Sequence, residues 1–264
     1  MKSASLPVVN APDLFKLLAH DIRWSILQFL ARSDYNGQEL VRLLKQPQNL
    51  VSYHLRLLAE KHIVTERRSS ADERSIYYSL DVSALRTRYF ASGGALHPIL
   101  GTSIPEDHML QETLSHLPLS PVRVLFLCTH NSARSQMAEG ILRHLSAGRI
   151  EVLSAGSHPS GLHPLAVQAC ASLGIDISGQ RSKHVEELRD QSFDYILTVC
   201  DRVRESCPTF PGDPDRIHWS FLDPASVEGP DEARYQLFKQ TGLQLMTRIR
   251  YLLTIIEREK GKAR

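Results

Sequence analysis

The sequence contains little cysteine and no long apolar run. Its 264 residues include only 4 cysteines, too few for the disulfide framework of a small secreted domain. No apolar stretch approaches the roughly 20 residues that a membrane-spanning helix needs, and the N-terminus carries no signal-peptide pattern. We therefore expect a cytoplasmic protein without a membrane partner, whose thiols stay reduced and available for chemistry.

Charge is distributed unevenly along the chain. Residues 1–91 hold 13 Lys and Arg against 9 Asp and Glu, whereas residues 92–264 hold 18 against 20. The length and the 42% of hydrophobic residues allow two domains, each with its own core. The basic N-terminal part is where binding to nucleic acid is expected.

The first ninety residues show helical periodicity followed by a two-stranded pattern. Two short helices are predicted within 11–31, a third over 38–45 and a fourth after Pro47. The stretches "IVTERR" and "SIYYSL" enclose a polar tip and predict a β-ribbon, and a further helix is predicted over 81–88. This order indicates an N-terminal winged helix-turn-helix domain over 1–91.

Residues 92–120 are rich in Gly, Ser and Pro and predict a linker with a short helix over 109–117. Beyond it, strand and helix patterns alternate, which predicts a C-terminal α/β domain over 121–264 with a parallel sheet flanked by helices. The predicted strands are 122–127, 150–154, 194–199 and 216–219, and the predicted helices are 135–146, 163–173, 183–190 and 231–258.

The stretch "CTHNSARS", residues 128–135, joins the first of these strands to the following helix. Such a loop faces the ligand crevice of a parallel sheet, and the helix N-terminus offers unpaired N–H groups. A sulfur placed there beside a guanidinium is expected to be a thiolate, so Cys128 is the candidate nucleophile. Arg134 can hold a tetrahedral oxyanion with two parallel donors. The other residues expected around the anion are Thr129, His130, Asn131, Ser132, Ala133 and Ser135.

Residues further along the chain complete the candidate site. Asp223, followed by a proline in a turn-prone stretch, is the candidate general acid for the leaving oxygen. Cys200 and Cys207 are separated by a polar segment that could bring their sulfurs within disulfide reach, although two unrelated structural cysteines are the alternative. Cys170 lies on an apolar helix face and is expected in the core.

Several motifs of the C-terminal part occur together in known enzymes. These are C-x5-R-S, "SQMAEG", "SAG", the Cys200 and Cys207 pair, and "HWSFLDPA". They resemble the low-molecular-weight phosphotyrosine phosphatase superfamily and, within it, the thioredoxin-coupled arsenate reductases. The resemblance implies a relay in which Cys128 attacks arsenate, Cys200 attacks Cys128, and Cys207 attacks Cys200. It also implies thioredoxin as external reductant and no bound cofactor. A protein tyrosine phosphatase and a non-enzymatic redox- or oxyanion-sensing transcription factor are the alternatives.

Some relatives bind potassium beside this loop, through an acidic residue that joins the equivalents of Asn131, Glu139 and Ser154. The aligned position in this sequence is Lys183, whose own charge would fill that place, so no metal is predicted. A weaker metal candidate is formed by residues at helical spacing in the linker, with an exposed helix as the alternative. Its members are His108, Glu112 and His116.

The stretches "LAHDIRWSILQFL" and "NLVSYHLRLL", with the ribbon, resemble ArsR-type winged-helix repressors. The resemblance implies a homodimer that binds a DNA operator, and a solvated polar face is the alternative. The residues placed at the major groove are Gln48, Asn49, Ser52, Tyr53, His54 and Arg56, and those placed near phosphates are Arg67, Arg68 and Arg74. The preceding helix lacks cysteine, so arsenite is not expected to bind there.

Overall fold

The computed structural model describes residues 12–102, 106–117, 122–205 and 208–260. These residues form two compact units, each with its own hydrophobic core. One unit comprises 12–67 and 75–102, and the other comprises 68–74, 106–117, 122–205 and 208–260. The two units are described separately below.

The first unit packs helices around a small sheet. Its helices are α1 (Asp13–Leu18), α2 (Asp21–Leu30), α3 (Gly37–Leu44), α4 (Gln48–Glu60) and α5 (Val82–Leu96), and its strands are β1 (Tyr35–Asn36), β2 (Val64–Arg68) and β3 (Ile76–Leu80). Arg68, the last residue of β2, belongs to the other unit. The sheet order is β1-β3-β2, with β1 antiparallel to β3. In α4 the buried residues Val51, Leu55 and Leu58 recur at helical spacing and enter the core. The predicted four helices and ribbon are present, and β1 is an addition.

A capping box starts α3. The side chain of Asn36 accepts the N–H of Glu39 at 2.9 Å, and the Glu39 carboxylate accepts the N–H of Asn36 at 2.8 Å. At the other end, Lys45 adopts a left-handed conformation with φ of 52° and turns the chain towards α4. The turn between the two helices is therefore set by local hydrogen bonding and backbone conformation.

Helix α5 ends at Leu96, eight residues beyond the predicted end, and a 3₁₀ turn follows over Pro98–Gly101. The glycines that suggested a linker serve close packing between these two segments. A Cβ on Gly93 would lie 2.7 Å from the carbonyl oxygen of Leu100, and a Cβ on Gly94 would lie 3.2 Å from Cα of Gly101. The predicted helix boundary was wrong because glycine was taken as a breaker where it allows a close approach.

The second unit is built on a parallel sheet. Its strands are β4 (Val122–Cys128), β5 (Ile150–Gly156), β6 (Tyr195–Thr198) and β7 (Asp215–His218), and its helices are α6 (Glu106–Ser115), α7 (Arg134–Leu145), α8 (Pro164–Ala171), α9 (Asp201–Glu205) and α10 (Asp231–Lys260). The strand order is β5-β4-β6-β7, and every neighbouring pair is parallel. The predicted mixed α/β fold with a parallel sheet is confirmed for this unit.

Strand β4 lies in the middle of the sheet and is buried along nearly its whole length. Val124 and Phe126 belong to one core cluster, while Leu125 and Leu127 belong to a second cluster. This alternation is what a strand covered on both faces requires. The 183–190 segment forms only a 3₁₀ turn over Val185–Leu188, and the short helix α9 was not predicted. Among the described residues, no helix has the length and apolar character needed to cross a membrane.

Candidate anion-binding catalytic site

Cys128 is the last residue of β4 and lies at the base of the loop that enters α7. Its side chain is 2% exposed. The Ser135 hydroxyl lies 2.9 Å from the Cys128 sulfur, and the backbone N–H of Asn131 donates to the same sulfur at 3.2 Å. The loop therefore surrounds the sulfur with polar groups that can stabilise negative charge on it.

The carbonyl groups of this loop face a second segment, residues 157–163. The N–H groups of His158 and Ser160 donate to the carbonyls of Thr129 and His130 at 2.8 and 3.1 Å, and the N–H of His163 donates to Ser132 at 2.9 Å. In a trans peptide the N–H points opposite to the carbonyl of the same peptide unit. The N–H groups of residues 130, 131 and 133 therefore point away from residues 157–163. The hydrogen bond from the Asn131 N–H to the Cys128 sulfur shows that the thiol lies on the side of the loop to which these N–H groups point.

Asn131 holds the loop in shape from within. It adopts a left-handed conformation with φ of 44° and is fully buried. Its side-chain nitrogen donates to Ser135 at 2.9 Å and to Ser154 at 2.8 Å, and its side-chain oxygen accepts the N–H of Lys183 at 2.7 Å. Gln136 also donates to that oxygen at 3.1 Å. Asn131 therefore fixes the loop to its neighbouring segments.

Lys183 lies beside Glu139, one of the residues named above for the potassium site of relatives. Its ammonium nitrogen is 3.6 Å from the Glu139 carboxylate, which also accepts from Ser154 at 2.5 Å and from Arg143 at 2.5 Å. Glu139 is 3% exposed and Lys183 is 9% exposed. Two cations of the protein already face this buried carboxylate. These residues therefore do not fit a potassium ion, whose charge would meet that of Lys183.

Arg134 and Asp223 meet across the loop. Nη2 of Arg134 lies 2.6 Å from the Asp223 carboxylate, and Nη1 donates to the carbonyl of Phe221 at 3.1 Å. Arg134 is 4% exposed, whereas the Asp223 side chain is 24% exposed and can reach solvent. The structure thus brings the predicted arginine and acid into direct contact, and the arginine ends the loop that begins at the predicted nucleophile. Such an arrangement can bind a tetrahedral oxyanion and protonate a leaving oxygen.

A second thiol lies beside this loop. Cys200 follows the end of β6, is 2% exposed, and has its sulfur 3.3 Å from the Thr129 hydroxyl. Because β4 and β6 are parallel neighbours, their carboxyl ends place Cys128 and Cys200 at the same edge of the sheet. Cys207 lies outside the described residues. Cys170 is fully buried in α8, and burial raises its pKa to about 12, as expected for a core thiol.

Most of the residues predicted to contact DNA are solvent-accessible. Gln48, Asn49, Ser52, Tyr53 and Arg56 are exposed on α4, Arg68 and Arg74 are exposed, and Arg67 is half-buried. His54 is the exception, and its prediction as a groove-facing residue was wrong. It is 3% exposed because it lies on the α4 face that also carries Val51, Leu55 and Leu58.

The weaker metal candidate gains no support. His108, Glu112 and His116 are all exposed. In the part of the chain that the structure describes, no three His, Cys, Asp or Glu side chains are grouped as metal ligands.

The sequence reasoning also missed a buried polar network next to Cys200, formed by Thr198, Asp201, His218 and Ser220. Its sequence signal was the "HWSFLDPA" motif, which contains His218 and Ser220 but to whose histidine and serine no role was assigned.

The fold and the loop define a parallel α/β protein with a thiol at the base of an anion-binding loop. Residues 123–262 match the family described as low molecular weight phosphotyrosine protein phosphatase. The chain belongs to this family.

Similar proteins include two reductases and a solved structure. An arsenate reductase from Shouchella clausii is 42% identical over 129 residues, covering 48% of this chain and 91% of that protein. A glutaredoxin arsenate reductase from Synechocystis sp. is 33% identical over 134 residues, covering 51% of this chain and 98% of that protein. A solved arsenate reductase in its oxidized state is 31% identical and covers 51% and 98% of the two chains, with a TM-score of 0.45.

Proposed function

We propose that the second unit reduces arsenate to arsenite through Cys128, Cys200 and Cys207. The observation that carries this proposal is the Cys200 sulfur at 3.3 Å from Thr129, the residue next to Cys128. A phosphatase needs one nucleophilic thiol, whereas a two-electron reduction needs a second thiol close to the first. The identity of 42% to an arsenate reductase supports the same activity.

The first step is the attack of the Cys128 thiolate on arsenic. The substrate anion takes the place on Arg134 that Asp223 contacts in the free protein. A sulfur–arsenic bond forms, an arsenic–oxygen bond breaks, and the Asp223 carboxylic acid supplies the proton with which that oxygen leaves as water. Arsenic stays at oxidation state five during this step.

The second step transfers the electrons. The Cys200 thiolate attacks the Cys128 sulfur, a disulfide forms, and the electron pair of the sulfur–arsenic bond passes to arsenic, which leaves as arsenite. Cys207 then attacks Cys200, which releases Cys128 as a thiolate and leaves a Cys200–Cys207 disulfide. An external dithiol reduces that disulfide, and we propose thioredoxin for this role, with no bound cofactor.

A coupled assay tests the enzyme. We expect arsenate-dependent NADPH oxidation with thioredoxin and thioredoxin reductase, and its loss in Cys128→Ser, Cys200→Ser and Cys207→Ser. Hydrolysis of p-nitrophenyl phosphate should fail only in Cys128→Ser, and Cys170→Ser is the matched control that keeps both activities. Replacing thioredoxin by glutaredoxin and glutathione tests the choice of reductant. Phosphate-ester hydrolysis without arsenate reduction under either reductant would contradict the proposal.

A protein tyrosine phosphatase is the second candidate. Arg134, Asp223 and the thiol of Cys128 form a complete site for phosphate-ester hydrolysis without Cys200. If this is the function, turnover of phosphotyrosine peptides will be unchanged in Cys200→Ser and Cys207→Ser. The same two variants therefore separate the two enzyme functions.

We further propose that the first unit is a winged helix-turn-helix domain that binds DNA as a homodimer. Helix α4 follows α3 after a short turn and presents the exposed side chains of Gln48, Asn49, Ser52, Tyr53 and Arg56. The excess of basic residues in this part of the chain supports contact with phosphates.

Selection from random duplexes, followed by fluorescence anisotropy at fixed salt, tests DNA binding. Arg56→Ala should weaken binding to the selected duplex by about 10-fold, as expected for a lost base or phosphate contact. Arg189→Ala is the matched control, since the side chains of Arg56 and Arg189 are 71% and 67% exposed and the latter lies in the other unit. Equal losses in the two variants would contradict a specific interface on α4.

A further inference from the structure

A buried polar network joins residues on both sides of Cys200 in the chain to residues at the end of β7. His218 contacts the Thr198 hydroxyl through Nδ1 at 2.8 Å and the Asp201 carboxylate through Nε2 at 3.1 Å. The Ser220 hydroxyl donates to the same Asp201 oxygen at 2.7 Å. Asp201 is fully buried, and His218 is 3% exposed. A carboxylate is kept at such a position only when partners satisfy it.

The network fixes the chain on both sides of Cys200. Thr198 lies two residues before it, at the end of β6, and is the register partner of His218 on β7. Asp201 lies one residue after it and begins α9, in which the N–H of Arg204 donates to the Cys200 carbonyl at 3.3 Å. The Cys200 sulfur, which lies between Thr198 and Asp201 in the chain, is 3.3 Å from the Thr129 hydroxyl. The backbone at Cys200 is thereby tied to the sheet edge that carries Cys128.

We propose that Asp201 and His218 are positioning residues that hold the Cys200 sulfur in place for its attack on Cys128. The inference rests on the proposed thiol relay and adds two residues to which the sequence analysis assigned no role. The relay requires the Cys200 sulfur to stay within reach of Cys128, and the network anchors the backbone on both sides of that sulfur.

The test measures disulfide formation without arsenate. In a Cys207→Ser background, the thiol oxidant diamide takes two electrons and links Cys128 to Cys200, and mass spectrometry after alkylation gives the rate. We expect Asp201→Ala to slow this reaction by about 10-fold or more, because misplacing a reacting atom by about 1 Å costs up to 100-fold. Asp201→Asn keeps one acceptor oxygen for His218 and Ser220 but places an NH₂ group against the Ser70 N–H that the second Asp201 oxygen accepts at 2.8 Å, so it should recover only part of the rate.

Two controls separate positioning from general damage. Hydrolysis of p-nitrophenyl phosphate uses the loop of Cys128 but not Cys200, so its kcat/KM should stay within about twofold of wild type if geometry at the loop is intact. Tyr195→Phe removes a 2.7 Å hydrogen bond to Glu259 from the same strand β6 and should leave both rates unchanged.

The outcomes are distinct from those of the reductase test. A wild-type rate of disulfide formation in Asp201→Ala overturns the inference, and so does a parallel loss of phosphate-ester hydrolysis. If wild-type protein fails to reduce arsenate but its disulfide formation depends on Asp201 as described, the reductase function falls and the positioning role stands.

Discussion

Gly156 lies where no side chain fits against the anion loop. A Cβ at this position would be 2.6 Å from the carbonyl oxygen of Thr129 and 2.8 Å from the backbone nitrogen of Asn131. Both neighbours are backbone atoms, so the loop would have to move. We expect Gly156→Ala to lower kcat/KM for p-nitrophenyl phosphate by about 100-fold, the effect of displacing catalytic groups by about 1 Å. Gly179→Ala is the control, because a Cβ added there meets open space. Equal activities of the two variants would refute the predicted effect of Gly156→Ala.

Lys183 and Glu139 supply a second prediction. Removing the ammonium group in Lys183→Met leaves the buried Glu139 with a weaker cationic environment, and we expect a loss of about 1–3 kcal/mol in unfolding free energy. The vacated place should then respond to potassium. Thermal unfolding in potassium chloride should recover part of the loss, whereas tetramethylammonium chloride at equal ionic strength should not. The thermal unfolding midpoint of the wild-type protein should be the same in the two salts. Recovery of the Lys183→Met variant in both salts would indicate charge screening and would contradict binding of potassium.

The geometry of the loop was predictable from a few adjacent residues, because strand, loop and helix follow one another there without interruption. Cys128, Arg134 and Ser135 lie in one short stretch, and their mutual distances follow from a strand-to-helix turn. The partners of Asp201 could not be found in this way. They are brought to it by the pairing of β6 with β7, and neither residue type nor spacing along the chain indicates that pairing.

Helix α4 carries a titratable group in its buried face. His54 contacts the ring of His20 at a centroid distance of 4.3 Å and that of Tyr53 at 5.1 Å, and its two ring nitrogens have no hydrogen-bond partner among the described residues. Burial, His20 and Arg23 lower the pKa of His54 below its usual value near 6.5. A proton therefore binds more strongly to the unfolded chain than to the folded one.

The sign of the pH effect follows from that difference. Stability from neutral His54 is fully present above about pH 6.5 and is lost as the pH falls from there towards the lowered folded pKa. We expect the unfolding midpoint of the first unit, followed through Trp24 fluorescence in a Trp219→Phe background, to fall between pH 7 and pH 5. His54→Leu should reduce this fall, whereas exposed His62→Asn should not. An unchanged pH profile in His54→Leu would contradict the assignment.

The elements were predicted most accurately where apolar periodicity and burial coincide, as in α4 and β4. The largest error concerned the end of α5, because a Gly-Gly pair reads as flexible unless its neighbour in space is known. The segment Pro98–Gly101 supplies that neighbour by packing against Gly93 and Gly94. A similar limit applies to His54, whose burial depends on the rotation of α4 about its axis. The exposed Tyr53 and the buried His54 are adjacent in sequence, so a small difference in the expected rotation changes which of them faces solvent.

The two proposed functions impose different demands on the whole molecule. The proposed catalytic residues lie within one unit, so their chemistry needs a single copy of the chain. The proposed operator binding needs two copies, since two half-sites are read together by a dimer. The first unit carries apolar side chains suited to such a contact. Phe15 of α1 and Tyr89 of α5 are 37% and 54% exposed and meet edge to face at 6.5 Å, and Leu96 is 79% exposed.

We therefore expect the protein to be a dimer. A charged residue introduced on this apolar surface should dissociate it. Light scattering coupled to gel filtration should give wild-type protein twice the chain mass of 29.8 kDa. Tyr89→Glu should shift it towards the single-chain mass, because burying an unpaired carboxylate opposes association. Leu243→Glu, at a site 47% exposed in α10, should leave the dimer intact. The Tyr89→Glu monomer should lose affinity for the selected duplex while keeping wild-type p-nitrophenyl phosphate turnover, since Cys128, Arg134 and Asp223 lie in the same unit of one chain. A single-chain mass for wild-type protein, or a parallel loss of hydrolysis, would refute this organisation.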